Sequence, residues 1–348
     1  MRIGFFSDSY FPEIDGVTYT LKLWKERLEE RGHEVYIVYP ESSDYEPGDM
    51  EIPVRSLPNP FYSGYRIPVP VSLDFPELDI VHCHSPAFIG RAGRFYASRN
   101  DIPSVYTHHT PLEEYFPQAV HSETLGNLLG KLYVPLEQRF LRKFDVVTSN
   151  TDSGRRDVDL EELPVGLDLE FFDRREEKPG GFGENLEEPL AGYSGRISDE
   201  KNVEQLVEMA EDFDGTLLIV GEGPRKKKVQ RQAGENVVFR DFLDREELPN
   251  FYSMLDVFIT ASTGDTLGLS TLEANACGTP VVAPDVHPFN STIESGNGMR
   301  YPAGDVNALR ERTVEAAAQD LDTRKAVEKY SLEKAVDRVE EIYSRLER

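Results

Sequence analysis

Short, uninterrupted apolar runs recur along this chain, each followed by a turn-forming loop and then by a segment with helical spacing. The first half carries them at Arg2–Ser7, Glu34–Tyr39, Ile52–Leu57, Ile80–His84, Ser104–Thr107 and Val146–Asn150. The second half restarts the series at Leu190–Gly195, Leu217–Val220, Val237–Arg240, Val257–Thr260 and Val281–Ala283. A strand that is apolar along its whole length is buried on both faces, and that requires a parallel sheet covered by helices. The alternation therefore predicts an α/β fold with two doubly wound domains. Between the two series lies Pro164–Pro189, which lacks periodicity and holds several acids, Gly180, Gly181 and Gly183, with Pro179 and Pro189 at its end. That composition predicts an interdomain linker. Expected bounds are 1–165 and 166–330, followed by a terminal helix within 331–348. Its apolar residues Val336, Val339, Ile342, Tyr343 and Leu346 recur at spacings of three and four. A chain of 348 residues is long enough for two cores.

The stretch with the most chemistry is Ser262–Pro284. A buried strand ends at Thr260, a loop turns through Thr263, Gly264 and Asp265, and Leu269–Cys277 has the character of a short helix stopped by Gly278 and Pro280. The first N–H groups of that helix, near Gly268, Leu269 and Ser270, have no intrahelical acceptor. Together with the helix dipole they form a seat for an anion, most naturally a phosphate. Asp265 precedes the seat and Glu273 follows it, eight positions on. Two acids help little in holding an anion, but they can accept hydrogen bonds from sugar hydroxyls on either side of it. The plainer reading, a dipole-favoured acid and a solvated helix Glu, stays open on this window alone.

Charge narrows the function classes. The chain holds 63 acids against 38 bases, a net charge of −25, and only 12 of the bases are lysines. This disfavours wholesale binding to nucleic acid or to anionic lipid, and it predicts a protein adapted to a salt-rich interior. Cys83 and Cys277 sit in apolar contexts, one in each half, and read as buried thiols. The amino-terminal run turns polar by Ser7-Asp8, too early for a signal peptide, and no run approaches the length of a membrane span. The expected location is cytoplasmic.

Other segments carry single hints. The loop Asp8–Gly16 has one glycine where a nicotinamide-type turn needs three, so a dehydrogenase is disfavoured. His82, His84, His108 and His109 lie on or just after neighbouring strands, which raises a metal site, but no acid or cysteine spacing supports one. Lys131–Lys143 mixes leucines and aromatics with Arg139, Arg142 and Lys143, a basic apolar patch in an acidic chain. It reads either as a core-packed helix with a cationic end or as a membrane-facing surface. In Gly195–Asn202, Arg196 and Lys201 place two cations at a strand end, a combination suited to a diphosphate.

Gly268, Glu273, Ala274, Ala276, Gly278, Pro280, Val281 and Val282 stand in register with the nucleotide-binding signature of the retaining glycosyltransferases of family 4. Asp265 stands where the signature more often has Glu, which shortens that arm by one methylene. Gly195-Arg196 with Lys201 resembles the family's G-R-x-x-x-x-K motif, and Gly221-Glu222-Gly223-Pro224 its next turn. Pro164-Val165-Gly166-Leu167-Asp168 resembles its interdomain N-G-V-D link without the Asn. The resemblance runs from Arg2 to about Tyr343. It implies a GT-B fold, two Rossmann-like domains with a donor cleft between them, and transfer of a hexose from a UDP- or GDP-linked sugar with retention at the anomeric carbon. It further implies that Gly16 approaches the donor phosphates, that His109 contacts the donor sugar, and that Arg196, Lys201, Gly268, Leu269 and Ser270 hold the diphosphate. Glu273 would hold the ribose and Asp265 the sugar hydroxyls. No metal-binding acid motif stands beside the phosphate residues, so a metal-independent enzyme without a cofactor is expected. The terminal helix would return to the first domain. The forms Asp8-Ser9-Tyr10-Phe11-Pro12 and Asp265-Thr266-Leu267-Gly268-Leu269 are most similar to glycolipid-forming hexosyltransferases. They imply a lipid acceptor met peripherally on the inner membrane face. A sugar-nucleotide epimerase of the same architecture and a non-catalytic nucleotide-sugar binder remain as alternatives.

Overall fold

The computed structural model describes residues 1–13, 16–59, 66–69, 75–109, 113, 116, 120, 122–149, 158–164, 166–176, 186–265 and 267–347. The chain forms two compact units. One is Met1–Gly166 with Leu332–Arg348; the other is Leu167–Ser331.

The first unit is built on β1 (Arg2–Phe6), α1 (Gly16–Glu30), β2 (Glu34–Pro40), β3 (Glu51–Val54), the short pair β4 (Ser56–Pro58) and β5 (Arg66–Pro68), β6 (Ile80–Cys83), α2 (Phe88–Asn100), β7 (Ser104–His108), α3 (Glu123–Leu141), β8 (Val146–Ser149) and β9 (Glu161–Glu162). Its main sheet is wholly parallel in the order β3-β2-β1-β6-β7-β8-β9. The central strands β6, β7 and β8 are buried at every residue, as a sheet covered on both faces demands. The terminal helix Leu332–Leu346 belongs to this unit: Val336, Val339, Ile342 and Tyr343 share a core with Ile3, Phe5, Leu21 and Trp24. Arg31, at the end of α1, pairs with Glu333 and Asp337 at 2.8 and 2.7 Å, and also with Glu340.

The single strand expected over Ile52–Leu57 is two. β3 lies at the sheet edge, where Pro53 can be accommodated because its missing N–H faces no partner strand. At Arg55 the chain leaves the sheet, and β4 pairs antiparallel with β5. Arg66–Pro68 is therefore strand; 60–65 lies outside the described residues.

The second unit contains β10 (Leu190–Ser194), α4 (Val203–Ala210), β11 (Thr216–Val220), α5 (Lys226–Gln232), β12 (Val237–Arg240), α6 (Leu248–Ser253), β13 (Val257–Ile259), α7 (Leu269–Ala276), β14 (Val281–Pro284) and β15 (Gly298–Tyr301). The sheet is parallel in the order β12-β11-β10-β13-β14-β15. Lys226 opens α5 and is the least solvated of its run of three lysines. It is buried, with its Nζ 2.5 Å from both Glu222 and Asp241. Leu167–Arg175, expected as linker, is docked: Phe172 is buried beside Tyr252, and Arg324 donates to the carbonyls of Leu169 and Phe172 at 2.6 and 2.9 Å. The expected linker glycines lie outside the described residues. Cys83 and Cys277 are buried free thiols.

Candidate donor-binding site

In the second unit, the loops after β10, β11 and β13 leave the same, carboxyl-terminal edge of the sheet, where open α/β folds bind ligands. They are knit backbone to backbone. Ile197 N–H donates to Glu222 C=O at 2.8 Å, Arg225 N–H to Ile197 C=O at 3.0 Å, and Thr263 N–H to Glu200 C=O at 3.0 Å. The approach leaves no room for side chains: a Cβ on Gly221, at φ +148°, would sit 1.9 Å from the Gly195 carbonyl oxygen. Asn202 adds two bonds from its Nδ2, to Ala261 C=O at 3.1 Å and to Thr263 Oγ1 at 3.2 Å.

This lacing brings Lys201 and Asp265 together, Nζ to Oδ1 at 2.5 Å, 64 residues apart in sequence, with both side chains about four-fifths buried. The residue expected at a diphosphate and the one expected at a sugar are thus paired with each other. Arg196 lies on the preceding loop, exposed, and its backbone carbonyl accepts from Tyr193 Oη at 2.8 Å.

α7 opens beside this pair. Gly268 is its N-cap, at φ +64°, and no side chain caps the helix. Any Cβ at Gly268 would be strained in this left-handed conformation and would meet the Phe289 ring at 2.5 Å. Thr271 N–H is satisfied by Gly268 C=O at 2.9 Å. The N–H groups of Leu269 and Ser270 have no acceptor among the described residues. Two such donors at the positive end of a helix dipole can seat an anion, four residues after Asp265, the partner of Lys201.

Glu273 lies one turn inside α7, half-buried, and its Oε2 accepts from Tyr252 Oη at 2.7 Å. Burial raises the Glu273 carboxyl above the ordinary value, while the Tyr252 bond and the Arg245 charge hold it down only in part. Tyr252, on α6, is the partner that sequence reasoning missed. It sits in a separate apolar run, and nothing in its local pattern points to α7.

Gly16 and His109 belong to the first unit. Gly16 is exposed and opens α1. His109 follows β7, is buried, and its Nε2 lies 2.9 Å from His84 Nδ1. His82 is held on both nitrogens, by Tyr343 Oη at 2.6 Å and Thr107 Oγ1 at 2.7 Å. Among the described residues no group of three or more His, Cys, Asp or Glu side chains could hold a metal ion.

Two α/β units, each built on a parallel main sheet, are the architecture of the GT-B glycosyltransferases. The comparisons agree. The pattern described as Glycosyltransferase Family 4 matches residues 14–160, and that of Glycosyl transferases group 1 matches residues 174–334. The alpha-monoglucosyldiacylglycerol synthase of Streptococcus pneumoniae is 30% identical over 331 residues, covering 84% of this chain and 73% of that protein. The enzyme of the same name from Acholeplasma laidlawii is 28% identical over 337 residues, covering 86% and 85%. The sucrose-phosphate synthase structure from Thermosynechococcus elongatus superposes with a TM-score of 0.74 at 19% identity, covering 99% and 98% of the two chains. The chain belongs to this glycosyltransferase family, and it is an enzyme of GT-B fold.

Proposed function

We propose that this enzyme transfers a hexose from a nucleotide sugar to a lipid acceptor at a membrane surface, with retention and without a metal ion. The observation that carries the donor half is the uncapped start of α7 beside Lys201. Negative charge develops on the leaving diphosphate, and the N–H groups of Leu269 and Ser270, with Lys201 and Arg196, are fixed donors for it. One such preorganised donor is worth roughly 100- to 1,000-fold in rate. Binding the diphosphate draws Lys201 away from Asp265, and Asp265 becomes free to accept from the sugar. Glu273, oriented by Tyr252, accepts from the ribose. The names of the two relatives specify an α-linked product; the common hexose nucleotides are α-linked, so an α product means retention.

The acceptor half is supported by a surface of the first unit. Among the described residues, seven of the eleven exposed large apolar side chains lie on α2 and α3: Phe88, Phe95, Leu125, Leu128, Leu129, Leu132 and Leu136. Leu132 and Leu136 are 62% and 64% exposed. Arg91, Arg99, Lys131, Arg139, Arg142 and Lys143 are exposed on or just after the same helices, in a chain of net charge −25. α3 therefore answers both readings of Lys131–Lys143, since Phe140 and Leu141 are buried while its leucine face is bare. An apolar face rimmed with cations suits an anionic bilayer. In a salt-rich cytoplasm the screening length falls to about 3 Å, and the leucines rather than the arginines would carry the contact. No described helix is long and apolar enough to cross a membrane.

The test is transfer from labelled UDP-glucose and GDP-mannose to vesicles of diacylglycerol with anionic phospholipid, in molar KCl, with and without EDTA. A labelled glycolipid made with one donor and unaffected by EDTA supports the reading and names the base. Transfer to a soluble sugar alone would sink the lipid assignment. A new sugar nucleotide formed without acceptor would show an epimerase, and binding without turnover a non-catalytic binder.

A further inference from the structure

His84 and His109 follow adjacent strands, β6 and β7, and meet as a nitrogen-to-nitrogen pair. His84 Nδ1 lies 2.9 Å from His109 Nε2, and the rings stack at 24° with centroids 5.2 Å apart. Two imidazole nitrogens at this distance share one proton, donated by one ring to the lone pair of the other. Burial pushes His109 down to about 3 and His84 well below its ordinary value, so both rings are neutral at physiological pH.

Two proton arrangements satisfy the contact. If His109 donates from Nε2, His84 must carry its own proton on Nε2. That atom is buried and has no partner among the described residues, and an orphaned buried N–H is among the rarest features of folded proteins. If His84 donates from Nδ1, its Nε2 is only a bare lone pair, the cheaper orphan. The surroundings cannot rescue the first arrangement. The Phe5 ring stands edge-on to His84 at 5.0 Å and Trp24 at 5.9 Å, and His82, 4.2 Å away between centroids, already has both nitrogens bonded.

We propose that His84 is a positioning residue that donates from Nδ1 to His109 Nε2, locking His109 as its Nδ1–H tautomer and making it a hydrogen-bond donor to the hexose of the nucleotide sugar. The inference rests on the reading of His109 as a donor-sugar contact. With the opposite tautomer His109 would present a lone pair, and a different set of hydroxyl orientations would be selected.

The test begins with the intact protein. Nitrogen-15 spectra of histidine-labelled enzyme, with His109 assigned through His109→Gln, should show a protonated Nδ1 and a bare Nε2 on His109. A protonated Nε2 on His109 overturns the proposal without any variant being needed. The second arm compares His84→Leu with His84→Asn, whose amide nitrogen sits near the Nδ1 position. In His84→Leu the His109 tautomer should change and kcat/KM for transfer should fall about tenfold, the size of one hydrogen bond of about 1.4 kcal/mol. Affinity for the free nucleotide should be unchanged, and His84→Asn should restore most of the activity. Equal losses in both variants with an unchanged tautomer would reduce His84 to packing. A changed tautomer with full activity would instead sink the sugar contact of His109 and leave the pair standing.

Discussion

The two units each start a helix just beyond a strand end, and they treat its positive end in opposite ways. In the first unit the start of α2 is filled by the chain's own carboxylate. Asp8, from the loop after β1, accepts from Ile89 N–H at 2.9 Å and Gly90 N–H at 3.5 Å, and Ser85 Oγ donates to it as well. In the second unit the start of α7 has no side-chain cap, and Leu269 and Ser270 offer their N–H groups outward. A helix start closed by the chain's own carboxylate has its donors occupied; one left open can receive an external anion. Both sheets are of the same kind, so the difference lies in the loops that lead into the two helices.

The largest effect is expected from Lys201→Ala, which removes a charge from the open seat. We expect kcat to fall roughly 100- to 1,000-fold in a transfer assay, and a fall below tenfold would remove Lys201 from the leaving-group site. Gly268→Ala comes next. The left-handed conformation alone costs about 1–2 kcal/mol, and relief of the contact with Phe289 would tilt the N–H groups of Leu269 and Ser270. Nucleotide affinity by calorimetry should drop at least about tenfold.

Glu273→Gln should weaken nucleotide binding by about tenfold, since a charged acceptor becomes a neutral one. Its stability effect has a definite sign. The folded-state value is raised by burial, so the folded protein binds this proton more tightly than the unfolded chain. Raising the pH from the unfolded value through the raised folded value therefore removes stability, and at neutral pH the Gln variant should melt no lower than the wild type. Donor binding by the wild type should weaken as the pH falls through that same raised value. A lower melting temperature for the Gln variant at neutral pH would show that the carboxylate is structural.

The smallest effect belongs to the closed end. Asp8→Ala should cost about 0.5–2 kcal/mol in urea unfolding, as for a lost cap, and leave nucleotide affinity unchanged. The emptied start of α2 should then accept an external anion, so sulfate should raise the melting temperature of the variant by more than it raises that of the wild type. Equal shifts would mean that α2 offers no seat even when uncapped.

Much of the seat is legible from local pattern. The run Val257–Ile259, the turn at Gly264 and Gly268, and the stop at Gly278-Thr279-Pro280 together mark a strand, a loop and a short helix with its donors exposed. Arg196 and Lys201 are visible as cations after a strand. The weaker strands β9 and β15 escape notice. Glu161–Glu162 is two residues of acid with no apolar signal, and Gly298–Tyr301 carries a glycine and an arginine that dilute it. Tyr252 and Asp8 escape for another reason. Each acts on a residue far away in the chain, and no spacing rule links Tyr252 to Glu273 or Asp8 to Ile89.

By itself the sequence determined the alternation of buried strands and helices, the two-domain division and the uncapped helix start after Gly268, because burial on both faces and the orphan donors of a helix start are local consequences of residue order. Tertiary structure alone decided which charges meet. The pairing of Lys201 with Asp265, the support of Glu273 by Tyr252, the capping of α2 by Asp8 and the contact of His84 with His109 all depend on which strands lie side by side. Adjacency of parallel strands is set by crossover connections that bring distant residues within hydrogen-bond reach, and a one-dimensional pattern carries no distance of that kind.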